Sequence, residues 1–307
     1  MLISICIPTY ARLEYLKIAV DSALNQTYTD IEICISQDPK ADGPDKNINE
    51  WCLEQAAEKG NIKYNLNTKN LGLAGNWNKV AEMASGQYAI IIGDDDVLAP
   101  DFIEKLFEQI KKHNADVVFC NQYFINSQGE VLYDLTDKLN KYYHRNEISS
   151  GILEHPIVNV LNNSLPMSAS LIRTSFLLEF PFDTSLNTPE LEIFLKIAVA
   201  GGIFVYINEK LASYRFHEQS ATYSGITMHK LLRKIISINV PKEYEPAKYN
   251  MIAPNIIPSI NSSLREGDKK TAREFFHSSY YPANKLHIKF IQGLLLILPS
   301  FVSNKIL

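Results

Sequence analysis

The chain lacks the features that mark several common classes of protein. Its 307 residues include only four cysteines, widely spaced, with neither a CxxC pair nor a Cys/His metal pattern. The formal net charge is -4 and the pI about 6.0, so no basic excess points to nucleic acid. No apolar run reaches the ~18–20 residues that a membrane-spanning helix needs. No P-loop is present, and the N-terminal segment has no basic region that would make it a signal peptide. We therefore expect a globular, cytoplasmic protein that does not bind nucleic acid.

The order of local patterns indicates the fold. Up to residue 120, short apolar runs predict strands over residues 2–7, 31–35, 62–66, 88–92 and 115–120. Between them, apolar residues at helical spacing predict helices over residues 13–24, 47–58, 77–83 and 102–112. This alternation predicts an α/β fold with a mostly parallel, Rossmann-like sheet flanked by helices. A mixed region follows, with a helix over 191–200 and a strand over 203–207, and helices dominate from residue 226. We therefore predict two domains, 1–225 and 226–307.

Polar residues follow three of the predicted strands. Pro8, Thr9 and Tyr10 follow the first strand, Asp38 follows the second, and residues 94–96, three consecutive aspartates called here the acidic triplet, follow the fourth. Ligands of parallel sheets bind outside the carboxyl ends of the strands. We therefore expect these three clusters to converge on one edge of the sheet.

The acidic triplet itself indicates a cation site. Adjacent carboxylates repel one another, and a divalent cation removes that repulsion. Hard oxygen ligands suit Mg²⁺ or Mn²⁺, and Mg²⁺ is usually shared between carboxylates and the phosphates of a substrate. The triplet therefore predicts a metal–diphosphate site at the end of a strand. The alternative is a solvated acidic turn before the helix that starts near Pro100.

Six short motifs, in order along residues 1–225, resemble those of family 2 glycosyltransferases. They are residues 8–10 with Arg12, 22–28 with Glu32, 70–75, 93–96 with Pro100, 182–183 with 190–196, and 214–217 with Ser220. A single motif would be weak, but six in the right order are specific. The resemblance implies the nucleotide-sugar-binding GT-A fold. It also implies transfer of a sugar, with inversion, from a nucleoside diphosphate sugar to an acceptor hydroxyl, and a UDP-sugar is the default donor.

The resemblance assigns part of the donor site to the first motif. Pro8, Thr9 and Tyr10 would shape the nucleotide pocket, with Tyr10 near the base, although Tyr10 could instead pack at the strand end. Arg12 would contact phosphate or cap a helix. Asp38 matches the carboxylate that reads the uracil or the ribose.

Later motifs contribute the rest of the donor site. At the second strand the family's usual Asp-Asp is replaced by Gln37-Asp38, which weakens the assignment of the base as uracil. Asn70 and Gly72 would line the donor loop, although Asn-x-Gly also makes an ordinary turn. Arg215 and Ser220 could hold the diphosphate as a flexible loop closes.

The metal ligands follow from the same resemblance. Asp94 and Asp96 keep the D-x-D spacing, whereas alignment on Pro100 favours Asp95 and Asp96. We expect Asp96 to be the direct ligand of Mn²⁺ or Mg²⁺. His217 is the second candidate because imidazole also suits Mn²⁺, and its alternative is a structural role.

Glu190 is the predicted catalytic base. The family usually has Glu-Asp at this place, and Pro189-Glu190 stands here. Glu192 lies two residues further along the predicted helix and should point roughly 200° away, so the two are not expected to share the site. The alternative for Glu190 is an acid that stabilises the start of the helix.

The C-terminal region carries no strong motif. Lys285, Lys289 and Lys305 flank the apolar segment 290–302. This pattern resembles a helix at a membrane interface, and the alternative is a buried core helix. Many relatives use lipid-linked acceptors to build bacterial surface polysaccharide. We therefore expect a saccharide or lipid-linked saccharide acceptor and peripheral contact with the inner face of the membrane.

Two other functions are considered. One is a non-catalytic protein of the same fold that binds sugar nucleotides or acts as a scaffold, because Pro189-Glu190 and Gln37 depart from the family pattern. The other is a metal-dependent nucleotidyl or phosphoryl transferase. That second alternative leaves the later motifs unexplained.

Overall fold

The computed structural model of the chain describes residues 1–217 and 227–298. The chain divides into two compact units, Met1–Gly225 and Ile226–Leu307. The activity of the first domain and the membrane contact of the second stay predictions.

Within the described residues, the first unit contains a nine-stranded sheet in the order β3-β2-β1-β4-β8-β6-β9-β5, with β7 paired to β9. Six strands share one direction, and β5, β7 and β8 run against it. The fold is thus α/β with a mostly parallel sheet, as predicted. The strands are β1 (Ile3–Thr9), β2 (Ile31–Gln37), β3 (Ile62–Leu66), β4 (Tyr88–Ile91), β5 (Val97–Leu98), β6 (Val117–Ile125), β7 (Gly151–Ile152), β8 (Ser170–Arg173) and β9 (Phe204–Arg215).

Helices connect these strands and cover the sheet. They are α1 (Leu13–Leu24), α2 (Lys46–Glu58), α3 (Gly72–Met83), α4 (Phe102–His113), α5 (Tyr133–Tyr142), α6 (Pro156–Leu161), α7 (Thr174–Glu179) and α8 (Glu190–Val199). β1 and β2 are buried along almost their whole length, as expected of parallel strands covered on both faces. Cys6, Cys34, Cys52 and Cys120 are all buried, which agrees with a role as small core residues.

Several predicted elements differ in extent from the observed ones, and two of the larger differences are those of α3 and β9. α3 begins at Gly72 rather than at residue 77, because polar contacts at the end of β2 hold its first turn. β9 continues to Arg215 instead of ending at residue 207, because it pairs with the full length of β6. The pairing shifts in register between Cys120 and Gln122. Neither extension is visible in local apolar spacing, since both depend on contacts between distant parts of the chain.

The second unit is helical in its described part, residues 227–298. Its α-helices are α9 (Met228–Ser237), α10 (Glu245–Arg265), α11 (Lys269–Phe276) and α12 (Leu286–Ile297). Buried Lys248 on α10 donates from Nζ to the carbonyls of Ile236 and Ile238, and so caps the end of α9. None of the helices in the described ranges combines the length and the apolar character needed to span a bilayer.

Candidate functional site

The carboxyl ends of three neighbouring strands form the edge where the predicted site residues lie. β1 lies between β2 and β4 in the sheet, and all three run in one direction. Thr9 pairs with Gln37, and Cys6 pairs with Ile91. The segments that follow these strands therefore emerge side by side, as the parallel arrangement requires.

Arg12, three residues after the end of β1, connects this strand to the acidic triplet. Its Nη2 donates to Oδ1 of Asp94, and its Nη1 donates to Oδ2 of Asp95 at 2.6 Å. The hydroxyl of Thr9 donates to the second oxygen of Asp94 at 2.6 Å. Asp94, Asp95 and Asp96 are only 1%, 8% and 3% exposed. The forked guanidinium suits two adjacent carboxylates, and it compensates part of their buried charge.

Asp96 is fixed by the end of β9. Its Oδ1 accepts a hydrogen bond from the main-chain N–H of Arg215 at 3.0 Å. The guanidinium of Arg215 donates to the carbonyls of Asp95 and Asn126, at 2.8 and 2.9 Å. A Cβ at Gly93 would lie 2.5 Å from Oδ1 of Asp95, so glycine leaves room for the turn. The described contacts of Arg215 hold the triplet in place, and its contact with a diphosphate stays a prediction.

His217 also reaches the triplet. Its Nε2 lies 2.8 Å from Oδ2 of Asp95 and 3.4 Å from Nη1 of Arg12. In the ranges that the structure describes, no three His, Cys, Asp or Glu side chains are grouped so that they could hold a metal ion. Arg12 and Thr9 contact the two oxygens of Asp94, and the main-chain N–H of Arg215 contacts Oδ1 of Asp96, so the metal contacts of Asp94, Asp96 and His217 stay a prediction.

Burial and mutual repulsion change the acidity of the triplet. Burial raises the pKa of Asp94 to about 6 against the opposing effect of Arg12, and the neighbouring charge of Asp95 adds to the rise. Burial, and then the charge of Asp95, raise the pKa of Asp96 to about 7. Burial alone would lower the pKa of Arg12, but Asp94 and Asp95 together raise it. Burial and the close spacing of the carboxylates therefore disfavour their ionised forms, and a nearby positive charge lowers that cost.

Asp38, at the end of β2, holds the loop that leads into α3. Its Oδ1 accepts from Nδ2 of Asn67 at 2.9 Å and from the main-chain N–H of Leu71 at 3.0 Å. Its Oδ2 accepts from the main-chain N–H of Gly72 at 3.0 Å. We call this set of contacts the Asp38 clamp. The clamp is a structural role that the sequence did not reveal, and the nucleotide contact of Asp38 stays a prediction.

Asn70 and Gly72 complete the same loop. Oδ1 of Asn70 accepts from the main-chain N–H of Gly72 at 2.8 Å, and its Nδ2 donates to the carbonyl of Pro39 at 3.3 Å. Gly72 has a φ of +72°, a conformation that favours glycine. The Asn-x-Gly motif is thus a turn that starts α3 and whose position is fixed by Asp38.

A cavity of about 580 Å³ lies between this loop and the segment after β2. Among the described residues that line it none is acidic, and the polar ones include Tyr10, Lys40, Asn67, Lys69 and Asn70. Nζ of Lys40 lies 2.7 Å from Oδ2 of Asp45. The cavity has the volume of a small-molecule pocket and is rich in hydrogen-bond donors.

Glu190 is the first residue of α8. Its side chain is half-buried, and the desolvation caused by the surrounding protein raises its pKa to about 7. Glu192 is buried and its Oε1 lies 2.8 Å from Nζ of Lys196, one turn further along the helix. The two glutamates thus differ in environment, and the raised pKa of Glu190 lies in the range that suits a general base.

Contacts with α3 position the segment before α8. Asn78 and Phe182 exchange two hydrogen bonds, in which Nδ2 of Asn78 donates to the carbonyl of Phe182 and Oδ1 accepts from its N–H. The ring of Phe182 also packs edge-on against Trp77 at 5.2 Å between centroids. The helix that starts at the Asp38 clamp therefore also anchors the segment that leads to Glu190.

Buried asparagine side chains at the ends of β1 and β2 were not predicted from the sequence. Asn76 donates from Nδ2 to the carbonyls of Thr9 and Ser36, and accepts from Asn67 at 3.1 Å. These side chains join the ends of β1 and β2. A polar residue within an otherwise apolar helix face is the one sequence signal that could have identified Asn76. Ser220, predicted to bind the diphosphate, lies outside the described residues.

Known proteins resemble the chain in sequence. The family model described as Glycosyl transferase family 2 matches residues 4–159. The abequosyltransferase RfbV of Salmonella typhimurium is 38% identical over 124 residues, which cover 40% of this chain and 36% of the relative. An uncharacterized glycosyltransferase of Methanocaldococcus jannaschii is 26% identical over 75% of this chain and 76% of its own length. The chain thus spans about a third of the length of the first relative and three quarters of the second.

Solved structures resemble its fold. S. aureus TarS 1-349 in complex with UDP-GlcNAc aligns with a TM-score of 0.66 and 14% identity, over 99% of this chain and 88% of that one. A mannosyltransferase from Pyrobaculum calidifontis in complex with GDP-Man and Mn²⁺ aligns with a TM-score of 0.57 and 13% identity, over 99% and 86%. At such identities the likeness establishes the fold, which is GT-A. Together with the family match, it identifies the chain as a member of glycosyl transferase family 2.

Proposed function

We propose that the protein is a metal-dependent, inverting glycosyltransferase that moves a sugar from a nucleoside diphosphate sugar to an acceptor hydroxyl. The observation that carries this proposal is the buried acidic triplet at the end of β4, beside the segments that follow β1 and β2. In an enzyme of this family, such carboxylates would hold a cation. The departing nucleoside diphosphate develops negative charge, and the cation would offset that charge.

The donor would bind along the edge formed by β1, β2 and β4. The cavity beside Tyr10 and Lys69 would take the nucleoside, with Pro8 and Thr9 at the end of β1 positioning Tyr10 and the Asp38 clamp fixing the loop around Asn70. UDP is the proposed nucleotide, and the UDP-GlcNAc complex of TarS supports this choice. GDP remains an alternative because the mannosyltransferase structure contains GDP-Man.

Asp94, Asp96 and His217 would hold the metal ion, with Asp95 and Arg12 beside them. The Mn²⁺ in the mannosyltransferase structure supports a divalent ion here, either Mn²⁺ or Mg²⁺. The ion would supply positive charge at the diphosphate. The chemistry of this donor set fits such an ion, because carboxylate oxygens and imidazole nitrogens are ligands that Mn²⁺ accepts.

Glu190 is the proposed base. With a pKa raised to about 7, it would take the proton of the acceptor hydroxyl as the hydroxyl attacks the anomeric carbon from the face opposite the diphosphate. Arg215 and Ser220 would contact the diphosphate. Asp38 already fixes the start of α3, which anchors the segment before Glu190. The chain would thus place donor and acceptor in line for displacement.

A calorimetric panel tests this function. UDP, dTDP, GDP and CMP are each titrated with Mn²⁺, Mg²⁺ or EDTA, and the preferred nucleotide then guides a screen of sugar donors. We expect one nucleotide to bind only with metal and its binding to disappear in Asp96→Ala. Failure of every nucleotide to bind would contradict the proposal and favour a scaffold protein on this fold.

We further propose that the acceptor is a saccharide, free or lipid-linked, of bacterial surface polysaccharide and that α12 contacts the inner face of the membrane. Leu286, Phe290 and Ile297 of α12 are 69%, 70% and 81% exposed. From residue 275 to the end of the chain there is no acidic residue, although the whole chain carries a net charge of -4. An exposed apolar helix face without acidic neighbours suits an anionic bilayer surface.

Vesicle flotation tests the membrane contact. The full-length chain and Phe290→Ser are compared on vesicles with and without anionic lipid. We expect the chain to float only with anionic vesicles and the variant not to float. Equal recovery of both proteins with the vesicles would contradict the membrane contact, and it would not affect the proposal for the donor site.

A further inference from the structure

The guanidinium of Arg12 contacts two carboxylates of the acidic triplet. Its Nη2 donates to Oδ1 of Asp94, and its Nη1 donates to Oδ2 of Asp95. The same oxygen of Asp95 lies 2.8 Å from Nε2 of His217. One guanidinium therefore contacts Asp94, a proposed metal ligand, and lies beside His217, a second one.

The other nearby cation does not share this role. The guanidinium of Arg215 donates to the carbonyls of Asp95 and Asn126, and the structure gives it no contact with a carboxylate oxygen in the described ranges. Arg12 precedes α1 but makes no side-chain capping bond to that helix. Arg12 stands at the N-cap of α1, and the described contacts of its side chain are with the triplet and His217.

The position of Arg12 has an electrostatic consequence. Buried carboxylates without a counter-ion are costly, so the triplet needs positive charge whether or not a metal is bound. A guanidinium and a divalent ion that face the same carboxylates repel one another, so each weakens the binding of the other. The side chain of Arg12 is 24% exposed and thus partly open to solvent. Its planar fork binds phosphate as readily as carboxylate.

We propose that Arg12 is the resident counter-ion of the acidic triplet. It neutralises Asp94 and Asp95 when the metal is absent, competes with the metal for the negative charge of the triplet, and moves to the donor diphosphate when the metal binds. This inference rests on the proposed function for its second half, the transfer to diphosphate. Its first half concerns the chain and a metal ion alone.

The test is a calorimetric titration with Mn²⁺ and no nucleotide, on the full-length chain, Arg12→Gln, Arg12→Lys and Lys17→Gln. Lys17 lies on α1 and its Nζ is 2.9 Å from Oε1 of Glu14, so Lys17→Gln removes one positive charge outside the site. We expect Arg12→Gln to bind Mn²⁺ about tenfold more tightly, because a competing positive charge has gone. Arg12→Lys should fall between, since an ammonium cannot bridge two carboxylates as a fork does. Lys17→Gln should match the unmodified chain.

Thermal unfolding in EDTA and in Mn²⁺ gives a second readout. Arg12→Gln should melt at a lower temperature than the unmodified chain in EDTA and regain most of that loss in Mn²⁺. A merely structural arginine predicts the opposite for the metal, because disrupting the site would weaken Mn²⁺ binding. If Arg12→Gln does not fold in EDTA, refolding in Mn²⁺ and the titration of Arg12→Lys decide the matter.

Two results would overturn the inference. Either Mn²⁺ binds Arg12→Gln and Arg12→Lys no more tightly than the unmodified chain, or Mn²⁺ fails to bind any of them. The first result leaves the proposed function standing if UDP still binds the unmodified chain with metal. The second, joined with absence of nucleotide binding, would also remove the proposed function. Weaker UDP binding by Arg12→Gln in saturating Mn²⁺ would support the transfer to diphosphate.

Discussion

Two sets of buried carboxylates lie at neighbouring strand ends and are neutralised in different ways. Asp38, after β2, accepts hydrogen bonds from two main-chain N–H groups and one side-chain amide. Asp94 and Asp95, after β4, face the guanidinium of Arg12, and Asp95 also faces His217. The partners of Asp38 are neutral and two of the three are main-chain N–H groups, whereas the partners of Asp94 and Asp95 are side chains.

This contrast separates the scaffold of the site from its exchangeable part. An N–H group that is built into a helix start cannot leave without unfolding that turn, so the Asp38 clamp is stable and specific. An arginine side chain can rotate away when a stronger cation arrives. We therefore expect substitutions at the triplet to affect catalysis first, and substitutions at the clamp to affect stability first.

The largest effect is expected at Asp96. Asp96→Asn keeps the acceptor for the N–H of Arg215 but removes a proposed metal ligand, so transferase activity should fall about a thousandfold or more. Steady-state rates with the preferred donor measure the loss. Asp101→Asn is the control, because Asp101 pairs with Lys105 on α4 and lies outside the site. Comparable activity loss in both variants would mean that the triplet has no special role.

Glu190→Gln should have opposite effects on activity and stability. Activity should fall about a hundredfold or more, because Gln cannot take a proton. The pKa of Glu190 is about 7 in the folded chain against 4.5 for the free side chain, so the folded state holds its proton more tightly. Ionisation of Glu190 therefore lowers stability as pH rises from about 4.5 to about 7.

The stability of Glu190→Gln at two pH values tests whether ionisation of Glu190 lowers the stability of the fold. At pH 8 the variant should be more stable than the unmodified chain by about 1 to 3 kcal/mol, and at pH 4 the difference should vanish. Urea unfolding at each pH measures it. The same ionisation predicts that the activity of the unmodified chain rises as pH increases through 7. A variant that is destabilised at pH 8, or a flat activity profile, would show that Glu190 is not held in a desolvated position.

Much of the fold could be predicted from the sequence because its signals are local. β1, β2 and β4 are mainly apolar runs, broken only by Ser4 and Glu32 before they end at polar residues, and α1 has apolar residues at helical spacing throughout. Such patterns need no information about distant residues. The early start of α3 did need it, because the N–H of Gly72 is held by Asp38, 34 positions earlier.

The residues of the candidate site could be chosen from the sequence, but the contacts between them could not be predicted. The triplet, Thr9, Arg12 and His217 were all chosen as site residues, and the structure brings them together. The partnership of Arg12 with the aspartates joins residues more than 80 positions apart, and no spacing rule reveals it. The contacts of the Asp38 clamp could not be predicted from the sequence, for the same reason.

Asp38→Asn tests whether the Asp38 clamp stabilises the fold. An amide can present its oxygen to only part of the clamp, and its NH₂ group would then face a main-chain N–H, so we expect a loss of about 2 kcal/mol in the free energy of unfolding. Urea unfolding measures it. Asp268→Asn is the control, because Asp268 caps α11 through one bond to the N–H of Thr271 and Asn caps equally well. A loss at Asp38 no larger than at Asp268 would contradict the clamp.

Gly72→Ala gives the smallest effect and isolates the backbone of the clamp. Gly72 and Gly201 have φ values of +72° and +84°, and an added Cβ would meet no heavy atom within 4 Å at either position. Alanine at each should therefore cost about 1 kcal/mol through backbone strain alone. Only Gly72 lies in the loop that contacts Asp38, so only Gly72→Ala should also weaken nucleotide binding in the calorimetric panel. Equal nucleotide affinity in the two variants would show that the clamp stabilises the fold without positioning the donor.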